Sequence, residues 1–357
     1  FTSNGLTGGD IIINAGTIEV SASDDTSFAQ ASIGNRGFGQ VVGDLDIETT
    51  SGDITITAHN SDLASIGNRA AGTVSSSGNI TVVSAGGLTI TGEDTGQARI
   101  AGGFGSNTNI DVTAAGNILL TVTGNPDDIG YGTQSGMALI GNFGNLITDS
   151  GGDIHVTSTG GGISLDAEED GGQVAIGNGT GLNATHGNVT VTDSDVDYGD
   201  IELDAEGENA LVRIGNSSPA GTIGGDIAIE AGKDLTLHAS ANGTIVQIGN
   251  GSLYDSDYSG GNITGNINVT VAGWLEVDAE QPSAIAQIGN GDPQAARAGN
   301  VAGDIQLNLN GDADFNDEGS DSGDARIWNT ATSGYTATGN LTVISPMSGD
   351  EAQKAVE

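Results

Sequence analysis

The stretch Gly225-Asp226-Ile227-Ala228-Ile229-Glu230-Ala231-Gly232-Lys233-Asp234-Leu235-Thr236-Leu237, followed by Val246-Gln247-Ile248-Gly249-Asn250, is one unit of a pattern that fills the chain. It holds three short apolar alternations separated by Gly, Asp and Asn. Apolar residues two apart lie on one face of a strand, and Gly/Asn/Asp clusters make turns. The third alternation ends in Ile-Gly-Asn. That marker recurs at Ile33-Gly34-Asn35, Ile66-Gly67-Asn68, Ile140-Gly141-Asn142, Ile176-Gly177-Asn178, Ile214-Gly215-Asn216 and Ile288-Gly289-Asn290, with degenerate copies at Ile100-Ala101-Gly102 and Ile327-Trp328-Asn329. Successive markers stand 33 to 40 residues apart.

The position two before each marker Ile is always Ala or Val, from Ala31 to Ala325, and the position between is mostly polar. This predicts a strand with one buried face crossing a narrow interior. The first strand of each copy follows Gly-Asp or Gly-Asn, as at Ile11/Ile13, Ile154/Val156 and Ile305/Leu307; the second follows at Ile18/Val20, Ile163/Leu165 or Leu275/Val277. The ninth copy is irregular in its second strand, at Ala313/Phe315, and residues 339–345 begin a tenth. One copy cannot bury its own apolar stripe, so copies stack, each strand lying parallel on its counterpart. The fold predicted is an all-β, right-handed parallel β-helix of three-strand coils, about nine repeats of roughly 36 residues. At about 4.8 Å per coil, nine coils make a body roughly 43 Å long. The solenoid spans 1–345, and 346–357 form a tail that caps it or joins it to another unit.

Composition fits this reading. There are 61 Gly, 5 Pro, no Cys and 4% aromatics, with formal charge −39 from 47 acidic and 8 basic residues. Disulfides and thiolate metal sites are excluded. So much negative charge disfavours nucleic acid and anionic membranes and invites divalent cations. No apolar run approaches the ~18 residues of a membrane span. The start at Phe1, without Met or leader, reads as a processed product or a piece of something longer.

Stacked copies bring Asn35, Asn68, Asn142, Asn178, Asn216, Asn250, Asn290 and Asn329 to one corner. Their amides can donate and accept along the axis, and Asn tolerates the left-handed backbone of a sharp corner. They read as a structural ladder. The Gly-Asp/Asn dipeptides exchange Asp10, Asp44, Asp153, Asp226 and Asp304 with Asn79, Asn188 and Asn266, so that turn needs an oxygen rather than a charge. The candidate metal site is Asp193, Asp195, Asp197 and Asp200, alternating carboxylates suited to Ca2+. It departs from an EF-hand loop in having Gly at the seventh place and no Glu at the twelfth, and a solvated acidic turn is the alternative. Longer insertions at 124–136, 251–264, 291–302 and 311–324 carry Tyr131, Tyr254 and Tyr258, which could meet a glycan or a neighbouring chain.

Catalysis is not expected. Arg99, Arg213 and Arg326 repeat at one column, as do Arg36 and Arg69, and repetition reads as a surface rung, whereas an active site is a unique place. His59, His155, His186 and His238 are scattered singly.

These columns resemble the repeat regions of large bacterial surface exoproteins of the filamentous-haemagglutinin, two-partner-secretion type. The shared features are Gly-Asn/Asp-Ile-x-Val followed by Ala-Gly-x-Leu-x-Val, over roughly residues 8–345. The resemblance implies folding outside the cell and a role as an adhesin or surface fibre, extracellular or at the bacterial cell surface. Partners then expected are further copies stacking end to end, a longer parent chain, or host and matrix glycans. The rival readings are a polysaccharide lyase or hydrolase and a calcium-dependent surface-layer protein.

Overall fold

The computed structural model describes residues 8–23, 28–37, 40–70, 76–102, 107–124, 136–142, 149–179, 184–218, 221–251, 261–291, 299–316, 323–331 and 335–345. Among them there is no helix. Three parallel sheets form the walls of a β-solenoid. The first stacks ten strands from Ile11–Ala15 to Leu341–Ile344, the second nine from Ile18–Ala22 to Ala313–Asn316, and the third nine from Gln30–Ile33 to Asp324–Ile327.

Register follows the columns. Ile227 pairs with Val189 and Ile267, Leu235 with Ile201 and Leu275, and Ile248 with Ile214 and Ile288. A slip of one residue would turn every inward side chain to solvent, so the buried columns hold the register. In strands such as Ile305–Leu309, burial alternates as the pattern of period two requires. Inward Ile, Leu and Val form one continuous core along the axis. Each such side chain contributes about 1.5–3 kcal/mol on burial. The irregular ninth copy keeps register too, since Ala313 pairs with Leu275 and Phe315 with Val277.

The corner glycine sets the closest approach between coils. Gly67 has φ 152°, and a Cβ there would lie 1.8 Å from the Ala101 carbonyl oxygen of the next coil. None of the corner Asn residues has positive φ; among described non-glycine residues that conformation falls on Asn60, Asp94, Asn209 and Ser283. The left-handed strain anticipated for the marker Asn is therefore carried by the glycine before it, because the backbones above and below leave no room for a Cβ.

The third sheet differs from expectation in a second way. Its outward column is buried: Arg213, Gln247 and Gln287 are fully enclosed, and Arg99, Leu139, Ala175 and Arg326 nearly so. Arg99, Arg213 and Arg326 are thus not surface rungs. The residue after the corner Asn reaches over this column, where Gln247 Nε2 donates to the carbonyls of Gly289 and Gly291 at 2.8 and 2.9 Å. Arg326 Nε donates to Gln287 Oε1 at 2.7 Å, and its guanidinium also meets Asp324 and lies over the Trp328 ring. A short fourth ladder, absent from the predicted pattern, precedes the first strand: Thr185, Ile223, Ile263 and Val301 stack, and the three apolar ones form a small cluster of their own.

Candidate functional site

Two side-chain ladders flank each coil boundary. At the corner, the Asn216 N–H donates to Asn250 Oδ1 of the following coil at 2.9 Å, and Asn178, Asn250 and Asn290 repeat this with Asn216, Asn290 and Asn329. The same relation joins Asn35 to Asn68 and Asn142 to Asn178. The other half of the amide works within its coil: Asn250 Nδ2 donates to the Gly225 carbonyl at 2.8 Å, tying the end of the third strand to the turn that opens the first. In that turn the sense is reversed. Asp226 N–H donates to Asn188 Oδ1 of the preceding coil at 3.0 Å, and Asp226 Oδ1 accepts from Asn266 N–H at 2.8 Å. Either Asp or Asn can supply that oxygen. Both ladders are thereby engaged in joining one coil to the next.

Three of the four aspartates of the 193–200 turn go to separate tasks. Asp193 points inward and is fully buried, in the column of Ser84 and Ser158; its Oδ1 accepts from the Asp195 N–H at 2.9 Å and its Oδ2 has no partner. Burial outweighs the Asp195 N–H bond and, with the nearby Asp195 and Asp200 charges, pushes its carboxyl up to about 6. Asp195 Oδ1 caps the turn by accepting from the Asp197 and Tyr198 N–H groups. Asp200 binds Lys233 Nζ at 3.0 and 3.1 Å, and this hydrogen bond raises the Lys233 pKa. The chain between them thus forms an Asx-capped turn, and Asp193, Asp195, Asp197 and Asp200 do not converge on one point. Tyr131, Tyr254, Tyr258 and the tail 346–357 lie outside the described residues.

A different set does converge, on the outward face of the second sheet. Strands Ile163–Ala167, Ile201–Ala205, Leu235–Ala239 and Leu275–Ala279 stack in register, placing Asp166, Asp204, His238 and Asp278 on consecutive rungs. Glu202 and Glu276 stand two residues before Asp204 and Asp278, while Glu168, Glu206 and Glu280 leave the strand ends. In earlier coils the same column holds Thr57, Thr91 and Thr121. The acidic face is therefore local.

Its electrostatics differ from rung to rung. Burial first, then Glu168, Asp204 and Glu206, push the Asp166 carboxyl up to about 7, and burial likewise raises Glu202. His238 is shifted the other way relative to burial: the Asp204 hydrogen bond, helped by Glu280, outweighs desolvation and lifts it to about 9. Its Nδ1 lies 3.1 Å from Asp204 Oδ1, and its Nε2 lies 3.2 Å from Glu280 Oε1 and 3.9 Å from Asp278 Oδ2. Sequence reading treated His238 as isolated. Its partners stand 34 residues before it and 40 and 42 after it, separations that become contacts only through the register of strand two. One further carboxyl is enclosed at the next corner, where Glu169 is 2% exposed, has an unpartnered Oε2 and is raised to about 7 by burial and Asp94.

Compared with known protein families, known proteins and solved structures, the chain finds no match.

Proposed function

We propose that this solenoid is a structural or adhesive element of the extracellular surface, either a fibre subunit that stacks end to end or a segment of a giant surface adhesin, and not an enzyme. The observation that supports this is the unbroken register: identical rungs succeed one another from Ile11 to Ile344, and the Leu341–Ile344 strand pairs as any other. A stack of this kind keeps its cross-section while it lengthens, which suits spanning a distance or repeating a surface. The repeat resemblance to filamentous-haemagglutinin-type exoproteins supports the same reading.

Electron microscopy of the native material tests it. Long thin fibres with an axial period near ~43 Å favour the stacking subunit, isolated rods favour a segment of a longer chain, and compact particles without a long axis overturn both.

One observation favours the rival reading, a polysaccharide hydrolase. Asp166 and Asp204 sit on neighbouring rungs, about 4.8 Å apart by strand spacing, with the Asp166 carboxyl raised, as a general acid requires. Release of reducing ends from a polysaccharide panel, abolished in Asp166→Asn, replaces the structural reading with this one.

A further inference from the structure

We infer that His238, Asp278 and Glu280 form a binding site for a divalent transition ion of the zinc class, with Asp204 orienting the imidazole. The inference is independent of whether the solenoid is a rod or an enzyme.

The three side chains offer ligand atoms that all lie within 4.8 Å of one another, the only such group of three among the described residues. Ligands bound at about 2.0–2.2 Å around one tetrahedral ion stand roughly 3.3–3.6 Å apart. The His238 Nε2 separations of 3.2 and 3.9 Å, to Glu280 and Asp278, bracket that value. Glu280 is the most exposed of the three side chains and has room to close the set by rotation.

The imidazole is also held as a ligand needs to be held. Asp204 Oδ1 accepts the Nδ1 proton at 3.1 Å, so Nε2 faces the two carboxylates and becomes the ligand nitrogen when an ion displaces its proton. This carboxylate–histidine relay comes from two different coils, and the acceptor carboxylates from a third. The backbone register, not a flexible loop, sets the spacing.

Chemistry selects the ion. One imidazole with two carboxylates suits Zn2+, Mn2+ or Co2+, whereas Ca2+ prefers an all-oxygen shell of six to eight ligands. Glu202, Glu206 and Glu276 on neighbouring positions add negative potential around the site. The remaining coordination positions face solvent, so water completes the shell. A bound ion joins the coil of His238 to that of Asp278 and Glu280.

Zinc titration of the full chain by calorimetry, after chelator treatment and in two buffers of different ionisation enthalpy so that displacement of the Nε2 proton is read alongside binding, gives the test. One saturable equivalent is expected. His238→Gln and the double variant Asp278→Asn/Glu280→Gln lose it. Asp204→Asn keeps the stoichiometry but binds about 10–100-fold more weakly. Asp44→Asn, at a remote turn, changes nothing. Cobalt supplies a readout that needs no variant, since nitrogen–carboxylate coordination alters its visible d–d absorption from that of the aqua ion. Absence of a saturable equivalent overturns the inference. Equal zinc binding by wild type and His238→Gln also overturns it, leaving only counter-ions condensed on an acidic face.

Discussion

Asn216 and Asn250 are joined by a hydrogen bond from the backbone of one to the side-chain Oδ1 of the other, 2.9 Å long and fully enclosed. Asn250 also satisfies the Gly225 and Thr264 carbonyls through Nδ2. Asn250→Ala therefore orphans three backbone groups at once. The enclosed Asn216 N–H left without a partner costs about 1–3 kcal/mol, while the part-exposed Gly225 and Thr264 carbonyls turn to water, so a loss of that order in denaturant unfolding is expected. Asn35→Ala, at a half-exposed corner, loses much less because water replaces the amide.

The opposite turn has a milder requirement. Asp226 supplies only an oxygen to the Asn266 N–H. Asp226→Asn keeps that acceptor and removes one charge from a chain carrying −39, so stability is expected to hold or rise slightly. Asp226→Ala leaves the N–H at an exposed turn to water and costs about 0.5–1.5 kcal/mol. Melting curves of the pair distinguish an oxygen requirement from a charge requirement.

Asp193 gives the protein a pH dependence of definite sign. Its carboxyl rises from 3.8 to about 6 on folding, chiefly through burial. Between those values the unfolded chain gives up its proton first, so the contribution of Asp193 to stability falls as pH rises from about 4 to about 6 and is level above. The effect is at most on the order of 3 kcal/mol. In the same column Ser84 Oγ and Ser158 Oγ donate to the carbonyls of Gly87 and Gly161. Asp193→Ser restores that column chemistry and should lower the slope in this window, leaving the part due to Asp166 and Glu169; an unchanged slope would remove Asp193 as a source.

Gly67 and Gly9 make a matched pair for the steric argument. A Cβ at Gly67 would overlap the Ala101 carbonyl, while a Cβ at Gly9 meets nothing within 4 Å. Gly67→Ala must push two coils apart and is expected to lower the melting temperature by well over ten degrees or prevent folding, with Gly9→Ala near neutral.

The coil, its three strands and their register were legible because each column repeats. An inward position occupied by Ile227, Ile267 and Ile305 states its burial three times. The outer face of the third strand was not legible. Arg213 and Gln247 look like solvent-facing residues until the segment after the corner Asn is seen to lie over them. The 193–200 turn misled for a related reason: spacing along the chain suggested convergence, while an Asx turn and the Lys233 pair drew the carboxylates apart. His238 shows the converse. Its partners are distant in sequence and adjacent only across rungs. The column alignment contained this cluster, but it appears only when the second strands of coils with unequal turn lengths are aligned.

The two ladders give the solenoid a direction. The corner Asn side chain receives an N–H from the coil before it, while the Asx side chain opening the first strand receives one from the coil after it. The upper and lower surfaces of a coil are therefore chemically unlike, and two copies can dock at their ends only head to tail. A two-fold dimer through those surfaces would oppose strands that run parallel within the coil stack, so the end-to-end stacking proposed above would be heterologous and open rather than closed. Growth of a filament of that kind would be polar. A coil altered on one of its two surfaces alone would act as a terminator at one tip and leave elongation at the other untouched.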